Sequence, residues 1–227
     1  MIESEMNDEM ARLRKRVERE RHARQEAEVL AEQGTRQLYE RQRELALFNT
    51  IADAANGAPT IQAAIQVTLN EICAYTEWPV GHAYLVGDES DLLVSAKIWH
   101  LDEPIKFSTF REITESTRFR PGQGLPGRVL ESHLPLWIPH VSQDPNFPRA
   151  KQSTSIGVRA AFAFPVLAGT KVVAVLEFFS AAQIEQQETW LEIAIQAGIQ
   201  LGRIFERQQA TAELERFTSN CWDGAML

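Results

Sequence analysis

The sequence predicts an α+β fold in which an antiparallel sheet lies between two long helices. Residues 159–167 and 171–180 are β-rich runs joined by a tight turn at 168–170, which is typical of an antiparallel hairpin. Residues 1–48 and the stretch from Glu185 onward show helical periodicity instead. Glycine- and proline-rich loops precede the hairpin, and loops that cover one face of a sheet are a common way to form a small-molecule pocket.

The composition excludes several classes of function. The chain has 227 residues, of which 44% are hydrophobic, so a normal core can form. Its net charge of −8 argues against general nucleic-acid binding, which needs clustered lysine and arginine. Its two cysteines, Cys73 and Cys221, have neither disulfide nor zinc-site spacing, which fits a reducing cytoplasm. No signal-peptide core and no apolar run of about 18–20 residues is present, so we predict a cytoplasmic chain without a membrane span.

Residues 1–48 predict a long charged helix, because they are rich in helix formers, contain no proline and have Gly34 as their only glycine. Apolar residues recur in it at heptad spacing, which indicates the seam of a dimeric coiled coil. Polar residues interrupt that seam, so a single solvated helix and a weak seam are the alternatives. We favour the dimer, because a lone helix that is polar all round has little to stabilise it. The seam positions are Leu13, Glu20, Ala27, Gly34, Arg41, Phe48 and Ala55, together with Val17, Arg24, Ala31, Leu38, Leu45 and Ala52.

The elements between the two arms follow from turn and capping residues. Gly57 and Pro59 end the first helix, and Thr60 is a suitable N-cap for an amphipathic helix over 60–76. Residues 100–120 are the least regular and predict a long loop containing one strand or helical turn. The other predicted elements are a hairpin of strands 80–86 and 92–99 about a turn at 87–90, short helices at 124–132 and 150–156, a strand at 136–141 and a frayed end at 219–227.

Several segments, in the same order as these elements, carry a family resemblance. They read Gly122-Gln-Gly-Leu-Pro-Gly-Arg-Val, Pro135-Leu-Trp-Ile-Pro, Asp144-Pro-Asn-Phe-Pro-Arg, and Arg159-Ala-Ala-Phe-Ala-Phe-Pro-Val with Val175-Leu-Glu-Phe-Phe-Ser. Over residues 44–207 they resemble the GAF domain, of the type found in bacterial sensory histidine kinases and cyclic-dinucleotide signalling proteins. Residues 19–40 also resemble the helical linkers that precede sensor domains in such proteins.

The resemblance implies a central antiparallel sheet of five or six strands with helices on both faces. Helices 44–56, 60–76 and 185–207 would cover one face. The loops and short helices of 100–157 would cover the other face, with a pocket beneath them. The domains would be a coiled-coil signalling helix at 1–43, a GAF sensor at 44–207, and a C-terminal helix extension with a frayed tail at 208–227.

The implied function is a non-catalytic sensory module of a signal-transduction protein, such as a two-component system. It would form a homodimer through a parallel coiled coil and act on a kinase or cyclase output domain outside this chain. A ligand-free dimerisation scaffold is the alternative, and a sulfoxide reductase of GAF type is less favoured. GAF domains bind ligands as different as cyclic nucleotides, bilins, haem and 2-oxo acids, so the fold does not identify a ligand.

Departures from the family pattern narrow these options. Members that attach a bilin covalently use a cysteine in the segment that here spans residues 149–156, which contains none. The sequence therefore argues against a covalent bilin, and we predict no cofactor, while an unidentified small-molecule ligand stays open. Cys73 and Cys221 do not match the pocket cysteines of the sulfoxide reductases, and no metal site is indicated.

The candidate pocket wall consists of Trp99, His140, Phe147, Arg149 and Arg159. A guanidinium at Arg149 or Arg159 could bind an anionic ligand, with bracing of the 142–148 loop as the alternative. Trp99 is predicted to line the pocket or to pack in the core, and Phe147 to stack on a ligand or to close the core. His140 is a surface residue or, less favoured, a haem or metal ligand.

Glu177 is a charged residue within an otherwise apolar strand. A charge there must face solvent, a partner or a pocket, and we favour an ion pair with a nearby arginine over a catalytic base. The sequence shows no convincing pair of a nucleophile and its base, so we predict no catalytic residues and no enzyme activity.

Overall fold

The computed structural model describes residues 2–87, 92–151 and 157–223. The chain divides into two units, Met1–Leu45 and Ala46–Leu227. Within the described residues no helix is both long and apolar enough to cross a membrane. A short 3-10 helix at Pro148–Lys151 precedes β4. In chain order the other elements are α1 (Ile2–Gly57), α2 (Ile61–Thr76), β1 (Val80–Val86), β2 (Leu93–Leu101), α3 (Ser108–Ser116), α4 (Gly124–Ser132), β3 (Leu136–Ile138), β4 (Ala160–Ala168), β5 (Lys171–Ser180) and α5 (Glu188–Asp223).

The first unit is the part of α1 that ends at Leu45, and it confirms the predicted long charged helix. Ion pairs one turn apart lie in solvent along it, as between Arg16 and Glu20 at 3.0 Å. Such exposed pairs add only about 0.3–0.5 kcal/mol each. Apolar seam residues such as Leu13 and Leu38 are exposed on this helix. Their pairing with a second copy of the chain stays a prediction.

The second unit is built around a five-stranded sheet with the order β2-β1-β5-β4-β3. All of its strand pairs are antiparallel. In the β4–β5 hairpin Ala168 pairs with Lys171, and Gly169 in the turn has a φ of +58°, which glycine adopts without strain. The structure therefore confirms both the predicted hairpin and the predicted antiparallel sheet.

The alternation of side chains along β5 divides the core into two layers. Leu176 and Phe178 lie in the layer beneath α2, α5 and the last turns of α1. Val175 and Phe179 lie in the layer beneath α3, α4 and their connecting loops. This arrangement confirms that long helices cover one face of the sheet and that the 100–157 region covers the other.

Two glycines let α5 lie directly on the backbone of β4. A Cβ atom at Gly198 would overlap the carbonyl oxygen of Pro165, and one at Gly202 would overlap that of Leu167. Only glycine therefore permits this approach, in which the C-terminal helix is fixed against an inner strand of the sheet.

Residues 100–120 differ from the predicted irregular loop, because they contain the nine-residue helix α3. Phe110 and Thr114 are buried one turn apart, which gives the helix a face toward the sheet. Phe107 occupies the N-cap position without a side-chain cap hydrogen bond, so the usual sequence signal for a helix start is missing.

Other boundaries also differ from the prediction. The strand predicted to reach residue 141 ends at Ile138, because Pro139 has no N–H to donate to the sheet. The end predicted to fray from residue 219 is helical as far as Asp223. Residues 88–90 of the predicted turn, 152–156 of the predicted short helix and 224–227 of the predicted tail lie outside the described residues.

Candidate functional site

His82 lies on the sheet face that is covered by α3, between two neighbouring strands. In the ladder it is opposite Glu177 of β5 on one side and Trp99 of β2 on the other. Its Nδ1 atom is 3.1 Å from Glu177 Oε1, and its ring centroid is 4.0 Å from that of Trp99. His82 and Glu177 are both 0% exposed, so buried partners must satisfy their polar atoms.

The principal partner of Glu177 is Arg149, which comes from the 3-10 helix on the other side of this layer. Arg149 donates from Nη1 to Glu177 Oε1 at 2.6 Å and from Nη2 to Oε2 at 2.7 Å. It also donates from Nη1 to Thr114 Oγ1 at 3.3 Å. The guanidinium is 1% exposed, so this is a buried bidentate pair, and it confirms the predicted partnership of Glu177 with an arginine.

Four phenylalanine rings surround the Arg149 guanidinium. Its Cζ atom is 5.0 Å from the ring centroids of Phe147 and Phe179 and 5.2 Å from those of Phe110 and Phe119. Such contacts attract a cation through the ring quadrupole. Arg149 Nε has no hydrogen-bond partner among the described residues. The guanidinium therefore has its charge balanced within the fold, by one carboxylate in an aromatic enclosure.

Electrostatics fix the charges of this group. Burial alone would raise the pKa of Glu177, but the Arg149 charge and the hydrogen bonds from His82 and Arg149 outweigh it and lower that pKa. Burial also opposes the charge of Arg149, yet Glu177 raises the pKa of Arg149 overall. For His82 burial dominates and lowers the pKa, although the Glu177 hydrogen bond raises it. At neutral pH the group thus contains a cation, an anion and a neutral imidazole.

A β-bulge brings the polar side chain of Ser95 to the group of His82, Glu177 and Arg149. The register between β1 and β2 shifts between His82 and Tyr84, and Lys97 within the bulge has a φ of +57°. Ser95 Oγ lies 2.8 Å from His82 Nε2 and accepts a hydrogen bond from the Lys97 N–H at 3.1 Å. Both ring nitrogens of His82 therefore have partners.

Hydrogen bonds from Tyr84 and Trp99 of the sheet hold helix α3 in place. The Tyr84 hydroxyl donates to the carbonyl of Thr114 at 3.2 Å. Trp99 Nε1 donates to Glu115 Oε1 at 3.0 Å, and Arg111 donates to the same oxygen at 2.8 Å. These contacts hold α3 over His82 and Trp99.

Asn146 joins the two loops that complete the layer. Its side chain accepts from the Gly124 N–H at 2.8 Å and donates to the Gly122 carbonyl at 2.8 Å. Asp144 accepts from the Asn146 N–H and from Arg128 of α4. The loop before the 3-10 helix is thereby tied to the start of α4, which places Phe147 and Arg149 inward.

The structure brings together three of the five residues proposed as a pocket wall. Phe147 and Arg149 are in contact, and Trp99 joins them through His82 and Glu177. Arg159 lies just before β4 with its side chain exposed. His140 is partly buried in the turn after β3, and its Nδ1 atom has no partner among the described residues. In the same residues no group of three or more His, Cys, Asp or Glu is placed to hold a metal.

Sequence reasoning missed most of the residues that surround Arg149 and Glu177. His82 and Ser95 were not identified, because their relation depends on strand pairing and on a bulge at a lysine, for which the sequence gives no signal. Thr114 and Phe110 were missed with α3 itself. The alternation of His82 and Tyr84 in β1 was the one available sign, since both point to the same face of the sheet.

Comparison with known proteins identifies the family. The family model described as the GAF domain matches residues 58–201. Among solved structures, the GAF domain from an Acinetobacter phosphoenolpyruvate-protein phosphotransferase is 15% identical, with a TM-score of 0.60 over 75% of this chain and 97% of that one. The free methionine-R-sulfoxide reductase from Neisseria meningitidis, in complex with its substrate, is 18% identical, with a TM-score of 0.60 over 73% and 91%. The A. aeolicus nlh2 GAF domain in an inactive state is 19% identical, with a TM-score of 0.57 over 74% and 99%.

These structural similarities concern the fold, because their sequence identities are low. A sequence comparison with curated proteins gave no match. The family model, in contrast, covers more than half of the chain and includes α2, the whole sheet and the group around Arg149. The chain therefore belongs to the GAF domain family.

Proposed function

We propose that this chain is a non-catalytic regulatory module of a bacterial signal-transduction protein, such as a two-component sensor. In this proposal residues 1–43 form a signalling helix, residues 44–207 the sensor and residues 208–227 an extension of the exit helix. The module forms a homodimer in the cytoplasm through parallel helices. It acts on a kinase or cyclase output domain outside this chain.

The observation that carries the proposal is the apolar stripe on the first unit. Leu13, Val17 and Leu38 belong to the two heptad series, Met6 and Met10 extend each series by one repeat toward the N-terminus, and all five are between 47% and 73% exposed. Apolar side chains at this spacing are what a partner helix would bury. A lone helix gains little from leaving them in water, so a second copy of the same helix is the occupant that heptad spacing favours.

Analytical ultracentrifugation of the whole chain at about 1–100 μM tests the dimer, a range in which a specific association of micromolar affinity is seen. We expect a dimer, and we expect the double variant Val17→Glu/Leu38→Glu to weaken it at least tenfold, because it adds charge to the seam. Val29→Glu/Leu30→Glu is the matched control, since these residues are 52% and 67% exposed on the same helix but lie outside the two series.

Two results would contradict the dimer. One is a wild-type chain that stays monomeric at the highest concentration. The other is equal weakening by the seam variant and its control, which would show that added charge acts without regard to the heptad. The parallel orientation has its own test, because a Leu38→Cys variant forms a disulfide with its own copy only where the two Leu38 positions meet.

The state of the interior bears on whether the module senses a ligand. Arg149 is bound by Glu177 and enclosed by four aromatic rings, which favours the second candidate function, a ligand-free dimerisation scaffold. Thermal unfolding in the presence of small anions, nucleotides and metabolite pools separates the two candidates. A rise of several degrees with one compound supports the sensor, and no change with any of them supports the scaffold.

The position of Cys73 supports a role without turnover. Cys73 is 2% exposed in the layer beneath the long helices, on the sheet face opposite Arg149. Burial, with a smaller effect of the Asp102 charge, raises the pKa of its thiol, so it is not a ready nucleophile. A methionine sulfoxide reductase of this fold would need a reactive cysteine thiol. Loss of sulfoxide reduction in a Cys73→Ser variant, if the wild type showed any, would overturn this part of the proposal.

A further inference from the structure

A serine, a histidine and a glutamate form a hydrogen-bonded line across three strands. Ser95 Oγ of β2 is 2.8 Å from His82 Nε2 of β1, and His82 Nδ1 is 3.1 Å from Glu177 Oε1 of β5. Both distances lie in the range of about 2.6–3.2 Å that couples a nucleophile to its base. The order of hydroxyl, imidazole and carboxylate is the arrangement that activates serine in many unrelated folds.

The bonding pattern fixes the direction in which the proton can move. Glu177 is ionised, because Arg149 and His82 hold its pKa below the ordinary value despite burial, so it can only accept a hydrogen bond. His82 Nδ1 must therefore carry a hydrogen. The imidazole is neutral, because burial lowers its pKa. Nε2 then offers a lone pair, and the Ser95 hydroxyl must donate to it.

The bulge in β2 positions a backbone N–H group on the Ser95 hydroxyl. Lys97 adopts a left-handed conformation with a φ of +57°, which is costly for a residue other than glycine. In that conformation its N–H donates to Ser95 Oγ at 3.1 Å. The Lys97 N–H thus fixes the Ser95 oxygen in place while the hydroxyl hydrogen points to His82.

Access to the three residues is graded. His82 and Glu177 are 0% exposed, whereas Ser95 is only partly buried and belongs to β2, the edge strand of the sheet, whose outer side is bridged by Phe119 at Leu93. Ser95 is therefore the member of the three that lies nearest to solvent, while the base and the carboxylate are closed off from it. Arg149 weakens the support that Glu177 can give to a protonated His82, because it already balances the carboxylate. Such a serine needs an acyl donor with a good leaving group.

We propose that Ser95 is a covalent acyl-acceptor site for small activated esters. Ser95 Oγ attacks the carbonyl carbon of the ester, and the hydroxyl proton passes to His82 Nε2. The bond from the carbonyl carbon to the leaving oxygen breaks, and that oxygen takes the proton from His82. The products are an O-acyl serine and a free alcohol or phenol, with no oxidation or reduction.

The first test uses p-nitrophenyl acetate with the full chain, followed by intact mass measurement and peptide mapping. Ser132 is the internal reference, because it is an exposed serine whose hydroxyl bonds to the backbone of Leu134 in its own turn. We expect acetylation of Ser95 at least about a hundredfold faster than that of Ser132, the low end of what a positioned general base contributes. Ser95→Ala should abolish the fast acetylation, and Ser132→Ala should leave it unchanged.

The second test does not depend on ester binding. In a Ser95→Cys variant the thiol would face His82 Nε2, which can take the thiol proton as the sulfur attacks, whereas an ordinary thiol with a pKa of about 8.5 has no base beside it and is almost fully protonated at pH 6. We expect it to react with iodoacetamide at pH 6 at least tenfold faster than a Ser132→Cys variant. Circular dichroism of all variants confirms that they are folded.

Equal acetylation of Ser95 and Ser132 in the folded wild type would overturn the proposal. Equal alkylation of the two cysteine variants would do so as well, because it would show that His82 does not act as a base toward position 95. Neither result depends on the oligomeric state of the chain, so this proposal and the proposed dimeric module can fail separately.

Discussion

Replacing Arg149 by methionine tests whether the buried ion pair holds this side of the sheet together. The variant keeps an unbranched apolar chain among the phenylalanine rings but loses both hydrogen bonds to Glu177, of 2.6 and 2.7 Å. The carboxylate is then left 0% exposed with His82 as its remaining hydrogen-bond partner. We expect the free energy of unfolding to fall by about 3–5 kcal/mol, which is the cost of removing one partner from a buried pair. Two charge-assisted hydrogen bonds at about 1.5–3 kcal/mol each give a similar total.

A double-mutant cycle separates the pair from its surroundings. Because Arg149→Met/Glu177→Leu leaves neither charge unpaired, we expect it to cost clearly less than the sum of the two single variants. Urea unfolding at pH 7, followed by tryptophan fluorescence and circular dichroism, measures all four proteins. Arg159→Met is the matched control, since that arginine is exposed, and it should change stability by no more than about 0.5 kcal/mol.

The result that would refute this reasoning is additivity. If the two single variants summed to the double variant within about 0.5 kcal/mol, Arg149 and Glu177 would not stabilise each other, whatever their geometry. A cost of Arg149→Met no larger than that of Arg159→Met would lead to the same conclusion.

Three further outcomes can be measured by denaturant unfolding. Burial holds the pKa of His82 below its ordinary value, so below about pH 6.5 the unfolded chain binds a proton that the folded chain does not. The free energy of unfolding should therefore fall by up to about 1.4 kcal/mol per pH unit as the pH decreases from there. His82→Gln should reduce this loss of stability between pH 7.5 and 5.5. Gly202→Ala should destabilise by about 1–3 kcal/mol, because its Cβ would overlap the Leu167 carbonyl, whereas Gly34→Ala, which meets no atom within 4 Å, should raise helix stability by about 0.5–1 kcal/mol. Thr60→Ala should cost about 1 kcal/mol, since Thr60 Oγ1 accepts from the Ala63 N–H at 3.2 Å at the start of α2. The corresponding prediction would be contradicted by a wild type whose stability does not change measurably below pH 6.5, or by a Gly202→Ala or Thr60→Ala variant as stable as the wild type.

The sequence was sufficient where local chemistry decides the structure. The hairpin at 160–180 follows from two β-rich runs and a glycine turn, and the end of α1 follows from Gly57 and Pro59. Helix α3 could not be predicted in the same way, because it begins without a cap and owes its position to Phe110 and Thr114 packing on the sheet. Its stability is tertiary, and tertiary contacts are not visible in a window of sequence.

The candidate site shows the same division. A charge in the apolar strand β5 was enough to predict an arginine partner for Glu177. The choice between Arg149 and Arg159 was not predictable, because it depends on which loop folds back over the sheet. His82 meets Glu177 from 95 residues away in sequence, and only the register of β1 against β5 places them opposite each other.

The Arg149–Glu177 pair also sets a scale for any anion that this site could sense. An anion that bound the guanidinium would have to displace the Glu177 carboxylate, which would keep His82 as its hydrogen-bond partner. An exchange that cost about 3–5 kcal/mol would weaken the apparent affinity by about 10²- to 4 × 10³-fold. Only a ligand that interacts with Arg149 more strongly than the Glu177 carboxylate does would then bind. Its binding would release Glu177 of β5, the strand that precedes α5. The sensor and the ligand-free scaffold therefore differ in the free energy needed to displace Glu177 from Arg149. The coupling energy from the double-mutant cycle measures that free energy for this chain.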